Sequence, residues 1–495
     1  MRASSQLNQG APLSHRGRLR EIAQRVMRER GFEATFSRAA IAQAERTVAP
    51  EGRIGGSLTD LRRLHWCSID NDDSLDLDQL SVADALPDGN IRVRVAVADV
   101  AMSVGKGTDI DRHAERNTTS IYTPAEKFPM LPDRLSTDLT SLNPDEDRIA
   151  VVIDFTVSEH GRISASSVYR GVVRNKAKLA YNSVGAWLEG SGPLPAAAGA
   201  PEIQDQLRLQ DVAATSLQEQ RARSGALELE TVEVEHHFDG DQLLDLKRQA
   251  HNRATALIAN LMIASNGVTS RFLEERGLPV IRRVVRMPEH WDRIREIADE
   301  AGSILPAEPN AIALSELLMR QRVAEPDTFP DFSLTIIKLL GRGEYVVDAP
   351  GEGATGHFAL AVRDYTHSTA PNRRFPDLIT QRMLLATLAE ERPPYEFEEL
   401  RSLAQHCTDQ EDAANRVERH LRKSAAALVV EHRIGERFAA FVTGASEKGS
   451  WVRVIDPIIE GRLVAPRAAS RVGERIGVRL VGVDVERGFI DFEEA

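Results

Sequence analysis

The densest set of potential metal ligands in the chain lies in one acidic segment, residues 68–80, which reads SIDNDDSLDLDQL. The segment places its aspartates within a short stretch and sets leucines between them: Asp70, Asp72, Asp73, Asp76 and Asp78. Carboxylates this close repel one another unless a cation lies between them, and a hard divalent ion such as Mg²⁺ prefers oxygen ligands. The segment therefore predicts a magnesium site, with a solvated acidic turn as the alternative.

The alternation of residue types from Ser74 onward predicts an extended strand for this segment. Side chains alternate along a strand, so Asp76 and Asp78 would share one face, and Leu75 and Leu77 would anchor the other. A calcium-binding EF-hand loop is excluded, because it requires Gly at its sixth position and Glu at its twelfth. Counted from either possible first aspartate, neither residue occurs at those places.

A second group of chemically capable side chains lies in residues 357–382, HFALAVRDYTHSTAPNRRFPDLITQR. Its basic residues precede a predicted helix, and a helix N-terminus flanked by guanidinium groups binds phosphate. The alternative is structural pairing of these arginines with Asp364 or Asp377. The candidates for phosphate or nucleic-acid contact here are His367, Arg373 and Arg374.

Composition narrows the class of protein. The chain has 495 residues, 42% of them hydrophobic, and a formal net charge of -12, which argues against indiscriminate coating of nucleic acid. Residues 1–66 differ, because twelve Arg and six acidic residues give a local balance of 12 - 6 = +6. The two cysteines have no paired spacing, and no apolar run approaches the ~18 residues of a membrane span. We expect a cytoplasmic protein with no membrane contact.

The elements that must position these residues predict an α+β, multidomain fold. We expect a basic helical module resembling a helix-turn-helix at residues 1–66, a large mixed α/β catalytic unit at residues 67–432, and a small barrel at residues 433–495. Apolar residues at helical spacing between Leu19 and Met27 predict the first N-terminal helix, and Ser37 is the N-cap of the second. The alternative for these helices is a cap packed on the catalytic unit.

The last sixty residues read as five short strands with turns, which is typical of a closed OB-type barrel. In GSWVRV the alternation puts Trp451 and Arg453 on one face, where a ring would stack on a base beside a cation for phosphate. The alternative is a tryptophan that belongs to the core.

Taken together, the two signatures resemble those of the ribonuclease II (RNB) family of exoribonucleases. SIDNDDSLDLDQL is similar to the family's acidic motif, and YTHSTAPNRRFPDLITQR is similar to its Tyr-Thr-His, Arg-Arg and Pro-Asp-Leu signature. The stretch IYTPAEKFPMLPDRLSTDLTSLNP between them also resembles the family, as does the C-terminal barrel. The resemblance covers roughly residues 67–495.

The resemblance implies a monomer, without an obligate protein partner, that hydrolyses single-stranded RNA. The reaction would run processively from the 3′ end, use Mg²⁺ in a two-metal mechanism and release nucleoside 5′-monophosphates. By the resemblance, Asp70, Asp76 and Asp78 fall on three of the family's four acidic positions, and Asp78 is the expected catalytic residue. The resemblance also implies roles for residues outside the acidic segment: Arg373 stabilises the scissile phosphate, Tyr122 holds the terminal nucleotide, and Tyr181 and Glu418 contact RNA.

Two departures from the family pattern bear on function. Gln79 stands at the fourth acidic position, so we expect altered metal dependence, with Asp72 or Asp73 as alternative ligands. The helical front end replaces the cold-shock barrels of bacterial members, so we expect a shorter RNA footprint or easier access for structured substrates. The competing hypotheses are a catalytically impaired RNA-binding or regulatory protein on the same fold, and a DNA-binding protein led by the N-terminal helices. The latter leaves both central motifs unexplained.

Overall fold

The computed structural model describes residues 14–50, 58–249, 251–349, 351, 356–446, 449–465 and 473–495. Its helices and strands confirm the α+β class, with helical N-terminal segments, a mixed sheet with helices, and a C-terminal barrel. The helices are α1 His15–Glu29, α2 Arg38–Arg46, α3 Asp109–Asn117, α4 Tyr181–Leu188, α5 Pro201–Arg223, α6 Arg253–Glu274, α7 Trp291–Glu300, α8 Ala311–Ala324, α9 Phe329–Leu340, α10 Phe375–Leu388 and α11 Phe397–Val430.

The strands are short except in the large sheet, where two of them exceed ten residues. They are β1 Leu58–Asp60, β2 Cys67–Asp70, β3 Gln79–Ala85, β4 Ile91–Ala98, β5 Ile121–Tyr122, β6 Lys127–Phe128, β7 Asp147–Val157, β8 Ile163–Arg174, β9 Ala177–Ala180, β10 Glu233–Asp239, β11 Gln242–Gln249, β12 Val280–Val284, β13 Glu344–Asp348, β14 Arg437–Ser446, β15 Gly449–Val454, β16 Ile459–Ala465, β17 Arg475–Asp484 and β18 Phe489–Glu494.

A seven-stranded sheet in the order β1-β8-β7-β4-β3-β2-β9 forms the frame of the large unit. The pairs β1/β8 and β2/β9 are parallel, and the four remaining pairs are antiparallel. Val-rich strands β4 and β7 lie at its centre and are buried at most positions, and helices α5 and α6 pack on this sheet. Continuous apolar runs are expected in strands covered on both faces. The sheet thereby gives the loops at its edge a rigid base.

The two predicted N-terminal helices are present, and each begins at a serine whose side chain accepts a backbone N–H: Ser14 for α1 and Ser37 for α2. The apolar stripe of α1 is buried against α11 and β11, and α2 packs on α3. The two helices thus pack on different elements of the large unit, and the choice between a helix-turn-helix module and a cap stays a prediction. Ion pairs Arg18–Glu431 and Arg25–Glu486 tie α1 to neighbouring acidic residues and neutralise part of its positive charge.

The C-terminal strands close into a barrel in the order β14-β15-β16-β18-β17, which is the strand order of an OB fold. Its inward-facing residues, including Val452, Val478 and Phe492, are fully buried. They share one apolar cluster with the C-terminal half of α11 and with α1. The barrel is therefore packed on the rest of the molecule through the longest helix. Within the described ranges, no helix is long and apolar enough to cross a bilayer.

Candidate active site

The acidic segment is an irregular connection, not the predicted strand. Strand β2 ends at Asp70, strand β3 begins at Gln79, and the residues between them form a turn and an extended but unpaired stretch. The predicted apolar face is also wrong at one position, because Leu75 is 62% exposed while Leu77 is buried. The physical reason is that the backbone here bonds to a neighbouring loop. The Ser141 hydroxyl donates to the Leu75 carbonyl and accepts the Leu77 N–H.

Two further backbone hydrogen bonds fix the position of the Asp78 carboxylate. The Ala98 N–H at the end of β4 donates to the Asp78 carbonyl at 2.9 Å, and the Leu142 N–H donates to the Leu77 carbonyl at 3.0 Å. The Leu77 side chain, 1% exposed, anchors the same point in the core. The irregular segment is thus held from both sides, and Asp78 has little freedom to move.

Asp70 and Asp78 are buried carboxylates with incomplete charge compensation. Burial, reinforced by the charge of Asp78, raises the pKa of Asp70 to about 7. Burial also raises the pKa of Asp78 to about 6, although Arg373 opposes the shift. Asp78 accepts hydrogen bonds from the Asn372 N–H and from Arg373 Nε, each at 3.2 Å, whereas Asp70 Oδ2 is buried without a partner. This donor set fits a divalent cation, because buried carboxylate oxygens are costly until a cation or hydrogen bond compensates them.

Asp76 is engaged by a lysine. Lys127 Nζ lies 2.5 Å from Asp76 Oδ2, so a cation already compensates this carboxylate. Within the described part of the chain, no three His, Cys, Asp or Glu side chains converge as a ready metal-binding group. The set Asp70, Asp76 and Asp78 therefore stays a prediction. Asp72 and Asp73 are exposed on the turn, and Gln79 is 8% exposed at the start of β3.

The arginine segment lies beside the acidic segment, and its Arg374 and Asp377 form a largely buried ion pair. Asp377, in the first turn of α10, accepts the Ala370 N–H at 2.8 Å and an Arg374 N–H at 2.7 Å. Arg374 is thus paired as the structural alternative proposed, and its predicted RNA contact gains no support from this geometry. Arg373 differs, because its side chain is 42% exposed and forms an ion pair with Asp78. It is the guanidinium of this pair that a phosphate can reach.

His367 lies in a buried aromatic cluster. Its Nδ1 is 2.8 Å from the Tyr345 hydroxyl, and the edges of Tyr345 and Tyr365 pack against its ring. Burial places the pKa of His367 well below its ordinary value. A neutral, 9% exposed imidazole offers RNA little surface, so the predicted direct contact is not supported. We expect His367 to have a structural role, in which it helps to hold the segment that carries Arg373 in place.

Tyr122 and Tyr181 flank the acidic residues. Tyr122 is 46% exposed on the short hairpin β5/β6, and its backbone N–H donates to Glu418 Oε1 of α11 at 3.0 Å. Glu418 therefore positions the hairpin that carries Tyr122. Tyr181 begins α4, and burial together with the charge of Asp70 raises the pKa of its hydroxyl to about 12. Two rings thus lie near the carboxylates, where a nucleotide would be held.

The predicted barrel platform is only partly free. Burial alternates along β15, so Trp451 and Arg453 lie on the same, outer face, and Trp451 is half-buried. Arg453 donates to Asp331 of α9 at 2.6 Å, with only 16% of its side chain exposed. The pair joins the barrel to the large unit, so Arg453 is not a free phosphate ligand. Trp451 remains a candidate for stacking on a base.

Sequence reasoning missed Lys127 as a site residue. It lies directly opposite Tyr122 in the register of the β5/β6 hairpin. The available signal in the sequence was Pro124, a residue type that favours a tight turn. In the structure Thr123 and Glu126 exchange hydrogen bonds across that turn. Cross-strand partners carry their side chains on one face, which places the lysine with the tyrosine.

Fold and site together define a protein of the RNB class, and the comparisons identify the family. The family model for the RNB domain matches residues 58–390, and the model for the RNase II-type exonuclease C-terminal S1 domain matches residues 436–495. The chain belongs to the RNB family.

Among particular relatives, ribonuclease R of Escherichia coli is 29% identical over 494 residues, covering 91% of this chain. The chain spans 59% of the length of that relative. In structure it matches Mycoplasma genitalium RNase R in complex with ribose methylated single-stranded RNA, with a TM-score of 0.86, 22% identity, and coverage of 96% of this chain and 77% of that one. It also resembles yeast Ssd1, a pseudonuclease, with a TM-score of 0.71, 16% identity and coverage of 89% and 55%.

Proposed function

We propose that the protein is a metal-dependent exoribonuclease that degrades single-stranded RNA processively from the 3′ end. The observation that carries this proposal is the pair of buried, undercompensated carboxylates, Asp70 and Asp78, beside the reachable guanidinium of Arg373. Such a centre combines sites for a cation and for a phosphate. Membership of the RNB family and the RNA-bound relative support the substrate.

In the proposed reaction, water attacks the phosphorus of the last phosphodiester. The bond from phosphorus to the 3′ oxygen of the preceding nucleotide breaks, a proton passes to that oxygen, and a nucleoside 5′-monophosphate leaves. Mg²⁺ held by Asp70, Asp76 and Asp78 would activate water and neutralise phosphate charge when bound. Arg373 meets the charge that develops on the phosphate. Asp78 also orients Arg373 through their hydrogen bond.

The remaining residues would select and hold RNA. Tyr122 and Tyr181 offer rings to the terminal nucleotide and its neighbour, and Glu418 keeps Tyr122 in place. Preference for RNA over DNA would come from contacts to the 2′-hydroxyl. In our proposal helices α1 and α2 cap the catalytic unit, whose sheet already includes β1 at residues 58–60. The barrel adds Trp451 as a stacking surface, and the protein acts as a monomer.

The test uses a 5′-labelled single-stranded RNA and its DNA counterpart, each incubated with Mg²⁺ or EDTA and resolved on a gel. We expect stepwise shortening of the RNA to a small 5′ remnant, only with metal, and intact DNA. Internal cleavage, or shortening of DNA at the same rate, would contradict the proposal.

The second candidate function is RNA binding without catalysis. Gln79 at the fourth acidic position favours it, as does the likeness in fold to a pseudonuclease. On this alternative the RNA would bind tightly and stay intact with every divalent ion tried. Gln79→Asp would then be the variant to test for restored cleavage.

A further inference from the structure

We propose that Lys127 is a functional residue of the acidic centre, whose ammonium group replaces the charge of a second divalent ion. The inference rests on the proposed function and concerns how the same site compensates its charge. The centre would accordingly bind one divalent ion, and Lys127 would provide fixed positive charge at Asp76.

The position of Lys127 is the first step of the argument. It pairs across the β5/β6 hairpin with Tyr122, its Nζ lies 5.3 Å from the centre of the Tyr122 ring, and the same Nζ is 2.5 Å from Asp76 Oδ2. The hairpin that carries the exposed tyrosine therefore also brings a cation to the carboxylate. With 32% of its side chain exposed, the lysine is open to a ligand that reaches Tyr122.

The second step is the local charge. The aspartates Asp70, Asp76 and Asp78 contribute -3 when ionised, and Lys127 and Arg373 contribute +2, so the sum is -3 + 2 = -1. One divalent ion changes this to +1, which a single phosphodiester neutralises. Two ions give +3 and leave +2 after the phosphate binds. The net charge of the centre with bound phosphate is thus closest to zero when one divalent ion is present, which favours one ion over two.

Neighbouring charges change this balance little. Asp72 and Asp73 are exposed on the turn, where solvent screens their charges. Glu418 acts on Tyr122 and Lys178 acts on Asp70, and their charges cancel. Asp377 faces Asp78 as well, but it is paired with Arg374. Gln79 contributes no charge where the family pattern has its fourth acid. Compared with a site that has a fourth acidic residue and no lysine, Lys127 and Gln79 both make the charge of the centre more positive.

An ordinary surface ion pair is the competing explanation, and such pairs contribute about 0 to 1 kcal/mol to stability. It predicts two bound ions in the wild type and, on removal of Lys127, a change in metal affinity of at most about fivefold, because the pair competes for Asp76 with no more than that energy. A charge-replacing lysine predicts a strong effect, because a fixed cation close to a bound Mg²⁺ repels it. The two explanations therefore differ in a measurement that does not depend on catalysis.

The experiment titrates the full-length protein with Mn²⁺ at pH 8 and counts bound ions by electron paramagnetic resonance. We expect one ion per chain in the wild type, and in Lys127→Met an affinity for Mn²⁺ that rises about tenfold. Lys127→Arg should behave as the wild type. The matched control is Lys106→Met, which removes a lysine paired with Glu399 away from the centre and should leave Mn²⁺ binding unchanged.

Two ions in the wild type, or unchanged or weaker Mn²⁺ binding in Lys127→Met, would overturn the inference. Circular dichroism verifies that each variant is folded, and Lys127→Gln replaces Lys127→Met if that protein is not. A wild type that shortens RNA yet binds two ions removes this inference and leaves the proposed function standing. A wild type that never shortens RNA removes the proposed function, whatever the ion count.

Discussion

The acidic segment and the arginine segment face each other across the candidate site, and they are built in opposite ways. The acidic segment lies outside regular structure, and among the described residues its buried Asp70 carboxylate has no ion-pair partner. In the arginine segment Asp377 is bonded to the backbone and to Arg374, and His367 is enclosed by tyrosines. The acidic segment therefore contains a buried carboxylate that the described residues do not neutralise, whereas the arginine segment is held by internal contacts and exposes the guanidinium of Arg373.

The difference teaches which motif residues act on a ligand. Buried carboxylates are normally compensated by hydrogen bonds and ion pairs. Asp70, with Oδ2 buried without a partner in the ranges that the structure describes, next to Asp78, whose pKa stays raised beside Arg373, therefore marks a place where a ligand would complete the structure. A motif residue that is already satisfied by protein groups acts through its neighbours. By this criterion we expect Asp70, Asp78 and Arg373 to contact substrate or metal, and we expect Arg374 and His367 to position them.

The largest expected effect is that of Asp78→Asn on cleavage. The substitution removes a ligand charge and weakens the bond that orients Arg373, so cleavage should fall by about a thousandfold or more. RNA affinity should stay within about twofold, because the tyrosines and the barrel are untouched. Gel-based cleavage and fluorescence-anisotropy binding on one RNA check both statements. An equal loss of binding would contradict this division of roles.

Replacing Arg373 and Arg374 one at a time distinguishes an arginine that contacts the ligand from one that stabilises the fold. Arg373→Ala should reduce cleavage about a hundredfold, because the phosphate loses its guanidinium, with little change in melting temperature. Arg374→Ala leaves the buried Asp377 uncompensated, which should destabilise the fold by about 3 kcal/mol. Thermal melting and cleavage assays of the two variants give the comparison. A melting temperature lowered equally by both would show that Arg373 is structural too.

The pH dependence follows from the raised pKa of Asp70, about 7, and of Asp78, about 6. Metal ligands must be deprotonated, so Mg²⁺ affinity should fall as the pH is lowered from 8, by about tenfold per unit between pH 7 and pH 6 and by about a hundredfold per unit below pH 6. Measuring the Mg²⁺ concentration for half-maximal cleavage at several pH values checks this. A flat profile between pH 8 and 5 would show that neither carboxylate holds the ion.

Trp451 and Arg453, on the outer face of β15, should also differ: one substitution should affect RNA binding and the other stability, and both effects should be smaller than those above. Arg453→Ala leaves Asp331 buried without its partner, so the barrel should be destabilised by about 2 kcal/mol. Trp451→Ala should weaken RNA binding by about 1 kcal/mol while the melting temperature stays unchanged. Melting curves and RNA titrations of both variants check this. Weaker RNA binding in Arg453→Ala with unaltered melting would restore the arginine as an RNA ligand.

The sequence predicted what depends on local patterns. Alternation and turns identified the barrel, and helical spacing, with a serine cap predicted for α2, identified α1 and α2. It did not predict that Leu75 would be exposed, because the bonds to Ser141 come from a residue far along the chain. Likewise, the partner of Arg453 is more than a hundred residues away, and the role of Lys127 depends on a hairpin meeting Asp76. Such contacts are set by tertiary packing, which no local pattern contains.

The measurement that tests the central claim most directly is the melting temperature of the wild type and Asp70→Asn at pH 8, each in EDTA and in Mg²⁺. The pKa of Asp70 is raised from 3.8 to about 7, so its charge costs stability increasingly as the pH rises through that window and fully above it. We predict that Asp70→Asn melts higher than the wild type in EDTA, and that Mg²⁺ raises the melting temperature of the wild type alone. A variant that melts lower in EDTA, or that keeps the full response to Mg²⁺, would contradict the account.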